Sequence, residues 1–586
     1  MCNLMLILKA LTRVAYCLLT FSVLVGPLGS KVAFSQSTEL VSYLQTFLDA
    51  RKNGSYEESQ RLGIQALRLG IKQLGESHPF TLNVIENLGA TYEIQGKYEQ
   101  NAKLYRQTIE TLKKVLGPNH EQIAKFRHSL ALVRHRQGLL VEAKKLYEKT
   151  LEMATSRYGT GHPKVASVLD NLGVLLMDQG NYEQAKKLIS RALKIRRKHY
   201  NPVSSEIAFS LNNLGVLNTE TGDYSKAEVY LQKSLDIRKK KLGLKNREVS
   251  TSLVNLGNVY LKQGKYEDAI KAYRKSLEID KNILGDAHPD IATGLVNLGS
   301  ALHSQGRYLE AEHAYKDALI IEEKVLGVEH IDSAYTLDAL GQLYMDTAKY
   351  VDAEEIIRKA LRVREKTLGT KHPRSADSIF SLAINLDYQN KLSKAEELYK
   401  RALRIRTERF GVENAETAMV LGQFGRFYSE NGNVSEAERY LTQAVDIQEK
   451  VIGRSHPDTI ISLKNLGDFY RGQAKYTKAE NILKRAHSLA NEKLLDQHST
   501  FSDIKNSLAL VYEDQARYSE AEKLLKEALL INRNLYGDKH PNVAANLSNI
   551  AGLYIDQERF AEAEKLYQTV LDIQKQVFGK NHSDLA

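Results

Sequence analysis

The sequence predicts an all-α solenoid built from tandem helical hairpins, and three periodic series predict it. Gly75, Gly117, Gly159, Gly243, Gly285, Gly327, Gly369, Gly411, Gly453, Gly537 and Gly579 stand on one series of step 42, broken only by Asn201 and Leu495. Three residues after this slot come His78, His120, His162, His288, His330, His372, His456, His498, His540 and His582. A third series, Ala143 to Ala563, holds alanine in eleven consecutive units. Self-similarity at a period of 20–50 residues is the mark of a repeat array, in which each unit packs only on its neighbours.

Within a unit the apolar spacing is helical. Leu169, Leu172, Gly173 and Leu176 are followed by Gly180, Tyr182, Ala185, Ile189 and Ala192, and residues 253–276 repeat the pattern. Apolar residues three and four apart make one helix face, twice per unit, with a Gly-x-Tyr turn between the helices. Gly173 and Ala185 are expected where two helix backbones cross closely. The joint glycine is expected to end the second helix in a left-handed cap, and the proline after the joint histidine to open the next first helix. Every proline outside the leader lies in an inter-unit loop, so none interrupts a helix. The expected organisation is a leader over 1–35, an atypical capping repeat over 37–80, tandem repeats over 81–578, and the start of a further repeat over 579–586.

Composition suits a folded chain: 42% of residues are hydrophobic and 26% charged. The formal net charge is +11, and removing Lys9, Arg13 and Lys31 of the leader leaves +8 spread along interleaved acids and bases. No concentrated stripe of a nucleic-acid binder results, so no nucleic-acid partner is expected. Lys9 and Arg13 precede an apolar run, Val14 to Val25, and Ala33-Phe34-Ser35 resembles a small-x-small cleavage site. This reads as a signal peptide for export to a periplasm or beyond, leaving Gln36 first. The competing readings are an uncleaved N-terminal anchor and a cytoplasmic chain. Both cysteines, Cys2 and Cys17, lie in the leader, which leaves no cysteine chemistry in the remainder.

The hairpin pattern resembles the tetratricopeptide repeat, with leucine in place of its tryptophan at Leu169, Leu211, Leu253, Leu295, Leu337 and Leu463. The 42-residue length and the joint Leu284-Gly285-Asp286-Ala287-His288-Pro289 resemble the repeat of the kinesin light chain class, over about residues 37–586. The eight residues beyond the usual 34 are expected to lengthen the second helix. The resemblance implies a right-handed superhelix whose first helices line a concave groove, and a scaffold that binds a protein or peptide partner. A motor cargo adaptor and the sensor half of a peptidase protein are the alternative roles it suggests. Only residues 37–50 precede the first turn, too few for the heptads by which light chains pair with heavy chains.

No catalytic residue, metal site or cofactor is expected. The joint histidines recur one per unit, too far apart to converge on one ion, so they are expected to be structural. No phosphate-binding loop, zinc-protease or serine-nucleophile motif occurs. Tyr182, Tyr224, Tyr266, Tyr308, Tyr350, Tyr476 and Tyr518 share one periodic slot and read as packing residues. One polar series does suggest function: Asn87, Asn171, Asn213, Asn255, Asn297, Asn465 and Asn549, two residues before the first-helix glycine. By resemblance these form an asparagine ladder for a bound backbone, since an amide side chain offers both acceptor and donors. The alternative is that each bonds a neighbouring helix. The longest run, 171–297, is where a continuous peptide fits best, with Asp170, Asn212, Asn258 and Ser300 as neighbours. Finally, Lys125, Arg127, His128, Arg134, His135 and Arg136 crowd one first helix, either paired locally or forming a pocket for an acidic ligand.

Overall fold

The computed structural model describes residues 29–52, 54–327, 329–493 and 498–578, and every regular element among them is an α-helix. Most of the expected leader, the joint at Leu495 and the segment 579–586 lie outside the described residues. No described helix is long and apolar enough to cross a membrane. The chain forms two compact units, Met1–Phe126 and Arg127–Ala586.

The first unit opens with Gly29–Lys52 and Tyr56–Leu74, whose Phe47 and Leu62 pack with Leu88 of the following helix. From Pro79 onward each repeat pairs a first helix of 16 residues, helix A, with a second helix of 18 or 19, helix B. The pairing is tight because helix A carries glycine at the crossing point. A methyl group on Gly257 would lie 2.6 Å from Tyr273, and one on Gly173 would lie 2.5 Å from Ile189. The alanine series, Ala143 to Ala521, is fully buried against the same crossing.

Helix ends follow from the joint sequence. His78, His162, His288, His330, His372, His456, His498 and His540 are N-caps: each Nδ1 accepts the backbone N–H two residues on. An orphan N–H at a helix start is satisfied this way, a service worth about 1 kcal/mol for the usual capping residues. Where histidine is missing, Ser204, Asn246 and Asn414 do the same work.

The joint glycine differs from expectation in one respect. Its φ is positive, but Gly285 combines φ 81° with ψ 168°, an extended conformation rather than the left-handed helical one. Only glycine occupies that region comfortably. The turn between helix A and helix B is truly left-handed, and there Ala348, Asn390, Ala474, Ala516 and Glu558 replace glycine at φ 53–62°. This explains why substitution is frequent at the turn and rare at the joint.

In the second unit the helices A also stack end to end. His372, His456 and His498 point Nε2 at the carbonyl oxygens of Gln137, Glu220 and Lys262, 2.8, 2.9 and 2.9 Å away and 235 or 236 residues earlier. Tyr266 and Tyr536, 270 residues apart, stack at 5.3 Å and share a hydroxyl hydrogen bond of 3.2 Å. The array within this unit therefore coils back on itself after more than five repeats. The negative C-terminal end of one helix A meets the positive N-terminal end of another, a favourable alignment of helix dipoles.

Candidate functional site: the inner face of the helices A

Neighbouring helices A touch one another along most of the second unit, whereas consecutive helices B make no comparable contact. Helix A therefore lines the inside of the curve. In Ser205–Glu220 one helical stripe, spaced three and four apart, carries the exposed Glu206, Phe209 and Glu220, the half-buried Val216 and the buried Asn213.

Adjacent stripes are laced by a simple rule: a residue of one helix A bonds the residue 43 positions later on the next. His135 meets Asp178 at 2.6 Å, His303 meets Asp346 at 2.9 Å, and Arg471 meets Asp514 at 2.8 Å. Arg247 and Asp290 pair in the same register.

The same rule divides the asparagine series. Asn171 Nδ2 reaches His128 Nε2 at 2.7 Å, and Asn255 Nδ2 donates to Asn212 Oδ1 at 2.8 Å. Burial pushes the His128 imidazole down to about 4, which keeps it a neutral acceptor. Asn213 is buried near the Asp170 carboxylate, and its Nδ2 has no hydrogen-bond partner among the described residues. In the first unit Asn87 accepts from Arg51 at 2.9 Å and donates to Asn83. By contrast, Asn297, Asn465 and Asn549 are half-buried and make no side-chain hydrogen bond among the described residues. The structure thus bonds Asn171 and Asn255 to neighbouring helices A, buries Asn213, and leaves Asn297, Asn465 and Asn549 with amides to offer.

The supporting residues also separate. Asp170 and Asn212 are buried. Asn258 accepts a 2.6 Å hydrogen bond from the Tyr273 hydroxyl, and Ser300 lies 3.2 Å from that of Tyr315. The six basic residues of Glu121–Arg136 have different partners. Lys125 pairs with Glu86, Arg127 lies against the Met153 sulfur, and His135 pairs with Asp178. Arg134 is only 2% exposed, pairs with Glu142 at 3.3 Å and donates to Gln137. Arg136 too is engaged. Among the described residues no group of three or more histidines, aspartates or glutamates is placed to hold a metal ion.

One set of polar residues escaped the sequence reading. Arg196 of helix B is buried and donates to Ser210 Oγ at 2.7 Å and to the Glu206 carbonyl at 3.0 Å, while pairing with Asp170 at 2.5 Å. Arg238 repeats this with Ser252, and Arg364 with Ser378 and Asp338. Each clamp ties helix B to the next helix A, 14 residues on, and so sets the angle between units. Burial pushes the Asp170 carboxyl up to about 6 even with Arg196 beside it. The signal was present in the sequence as arginine recurring at 196, 238, 364 and 406 with serine 14 residues after the first three.

Comparison with known proteins agrees with this architecture. The tetratricopeptide repeat model matches ten overlapping segments, 48–114, 88–156, 122–198, 164–240, 248–324, 290–365, 330–408, 416–492, 500–576 and 543–586. No curated protein matches. Among solved structures, the chain is similar to a Podosopora anserina protein of nearly identical kinesin light chain TPR-like repeats, at 25% identity over 35% of this chain and 97% of that one, with a TM-score of 0.30. It is also similar to BtubC (BKLC) from P. vanneervenii, at 21% identity over 39% and 92% of the two chains, with a TM-score of 0.34. With family matches running from residue 48 to residue 586 over paired helices of the same periodicity, the chain belongs to the tetratricopeptide repeat family.

Proposed function

We propose that this protein-interaction scaffold holds an extended segment of a partner protein along the inner face of its helices A. The observation that supports the reading is the split in the asparagine series: Asn297, Asn465 and Asn549 present amides with no hydrogen-bond partner among the described residues. A backbone lying across them could both donate to and accept from each amide, at about 1 kcal/mol per hydrogen bond. The test is to pan a random 12-residue peptide library on the full chain and on Asn297→Ala/Asn465→Ala/Asn549→Ala. Enriched peptides should bind the variant at least about tenfold more weakly, the sum expected from a few such bonds. Equal binding would sink the proposal.

The leader adds a place of action. With Lys9, Arg13 and the apolar run Val14–Val25 read as an export signal, the scaffold works outside the cytoplasm. Intact mass of the native protein should show Gln36 as its first residue; Met1 retained on a cytoplasmic protein would favour an intracellular adaptor instead.

A further inference from the structure

Summed over the array, the helices A and the helices B carry opposite charge. The ten helices A from Pro163–Asp178 to Pro541–Asp556 hold 19 acidic and eight basic residues, a net of −11. The helices B from Leu140–Tyr158 to Phe560–Phe578 sum to +11. A chain basic as a whole therefore turns an acidic side inward.

Part of this has a folding role. Asp170 and Asp338 neutralise buried arginines, and acids in the first turn of helix A, such as Glu206 and Asp332, suit the helix dipole. The last turn is different. There Asp178, Glu220, Asp346, Glu430, Asp514 and Asp556 are exposed at six of the ten helices, against the basic Lys262 and Arg471. A carboxylate at a helix C-terminus opposes the dipole and disfavours the fold by several tenths of a kcal/mol each. Four of them are also tied into the fold, since Asp178, Asp346 and Asp514 pair with His135, His303 and Arg471 and Glu430 pairs with Arg426, but Glu220 and Asp556 have no ion pair among the described residues.

Between the two acidic borders runs an interrupted apolar column, filled in four of the ten helices A, with Ser167, Thr251, Thr293, Asp377, Asp503 and Ala545 at that position in the others. Phe209, Tyr335, Met419 and Ile461 share one position of the repeat, four residues before the asparagine slot, and are 39%, 59%, 45% and 42% exposed. Large apolar side chains left open mark a surface that is covered in use.

Resting on the proposal that the inner face binds an extended segment, we infer that its occupant is a lysine- and arginine-rich stretch of a protein with apolar residues between its charges. The apolar side chains cover the Phe209–Ile461 column, the backbone meets the asparagines, and the cationic side chains reach the last-turn carboxylates. Charge complementarity selects this partner over an acidic peptide, which would meet like charge on both borders.

Fluorescence anisotropy with two labelled 12-residue peptides, four repeats of Lys-Ser-Leu and four of Glu-Ser-Leu, tests the inference on the full chain. The lysine peptide should bind and the glutamate peptide should not, and raising salt from 50 to 300 mM should weaken binding about tenfold or more. Glu220→Gln/Asp556→Asn, at the two last-turn acids without an ion pair among the described residues, should cost about tenfold in affinity while leaving the melting temperature unchanged or higher, since these acids oppose the dipole. Binding of both peptides alike, or an acid variant that binds the lysine peptide as well as the parent, overturns it. The asparagine variant separates the two readings. If it abolishes enrichment from the random library while the acid variant changes nothing, the groove stands and only the basic partner falls.

Discussion

His456 joins two helices that the chain separates by 236 residues. Its Nδ1 accepts the Asp458 backbone N–H at 3.1 Å and caps its own helix, and its Nε2 meets the Glu220 carbonyl at 2.9 Å. Because Nδ1 must accept, the ring is the neutral Nε2–H form and Nε2 donates. His372 and His498 repeat the arrangement. Replacing all three by asparagine keeps the cap, as Asn414 and Asn246 show, but removes the reach to the second helix. The His372→Asn/His456→Asn/His498→Asn protein is expected to keep its helicity while its radius of gyration rises in small-angle X-ray scattering. An unchanged scattering curve would mean that the end-to-end contacts do not hold the coil.

His540 and Glu322 titrate in opposite senses. Burial pushes His540 down to about 4, so the folded state resists its protonation. That contribution is full above the unfolded value near 6.5 and is lost as pH falls toward 4. Burial pushes Glu322 up to about 7, with Thr336 donating to one oxygen at 2.8 Å. Its contribution is full below the unfolded value near 4.5 and is lost as pH rises through 7. Glu322→Gln should therefore raise the melting temperature at pH 8.5 and do little at pH 5, whereas His540→Gln should flatten the loss of stability between pH 6.5 and 4. Melts of both variants across that range check the signs.

Glycine is needed at the joint for its backbone rather than for space. Nothing lies within 4 Å of a methyl group placed on Gly285, yet its φ and ψ are open only to glycine. Gly285→Ala should cost about 1–3 kcal/mol. Ala516→Gly, at a left-handed φ of 57°, should be neutral or stabilise by up to about 1 kcal/mol. Urea denaturation of the two variants gives the comparison, and equal losses would contradict it.

The clamp between repeats predicts a recoverable defect. Arg196→Met strands the buried Asp170 carboxylate and should cost about 3–5 kcal/mol. Adding Asp170→Leu removes the stranded charge and should restore most of the loss. A double variant as unstable as the single one would show that the arginine acts through its bonds to Ser210 and the Glu206 carbonyl instead.

Most of the fold was legible in the chain. Glycine at 173 and 257, alanine at 185 and 269, and proline after the joint histidines announce close crossings and helix starts, because these demands are local and recur every 42 residues. The histidines were read as structural, but their capping role was not, since histidine is not among the usual N-cap residues. The asparagine series was visible as a series. Its division was not, because it depends on what stands 43 residues earlier: His128 and Asn212 bond the following asparagine, whereas Val254 before Asn297 and Gly422 before Asn465 cannot, and Asn506 before Asn549 is taken up by Asn546.

The sequence by itself determined the repeat, the helices, their ends and the inward small residues, all set by interactions within a few turns of chain. Only the tertiary structure decided which helices A meet across 236 residues and which asparagines remain available. Those outcomes accumulate from a small rotation at every joint and clamp, so no single repeat contains them.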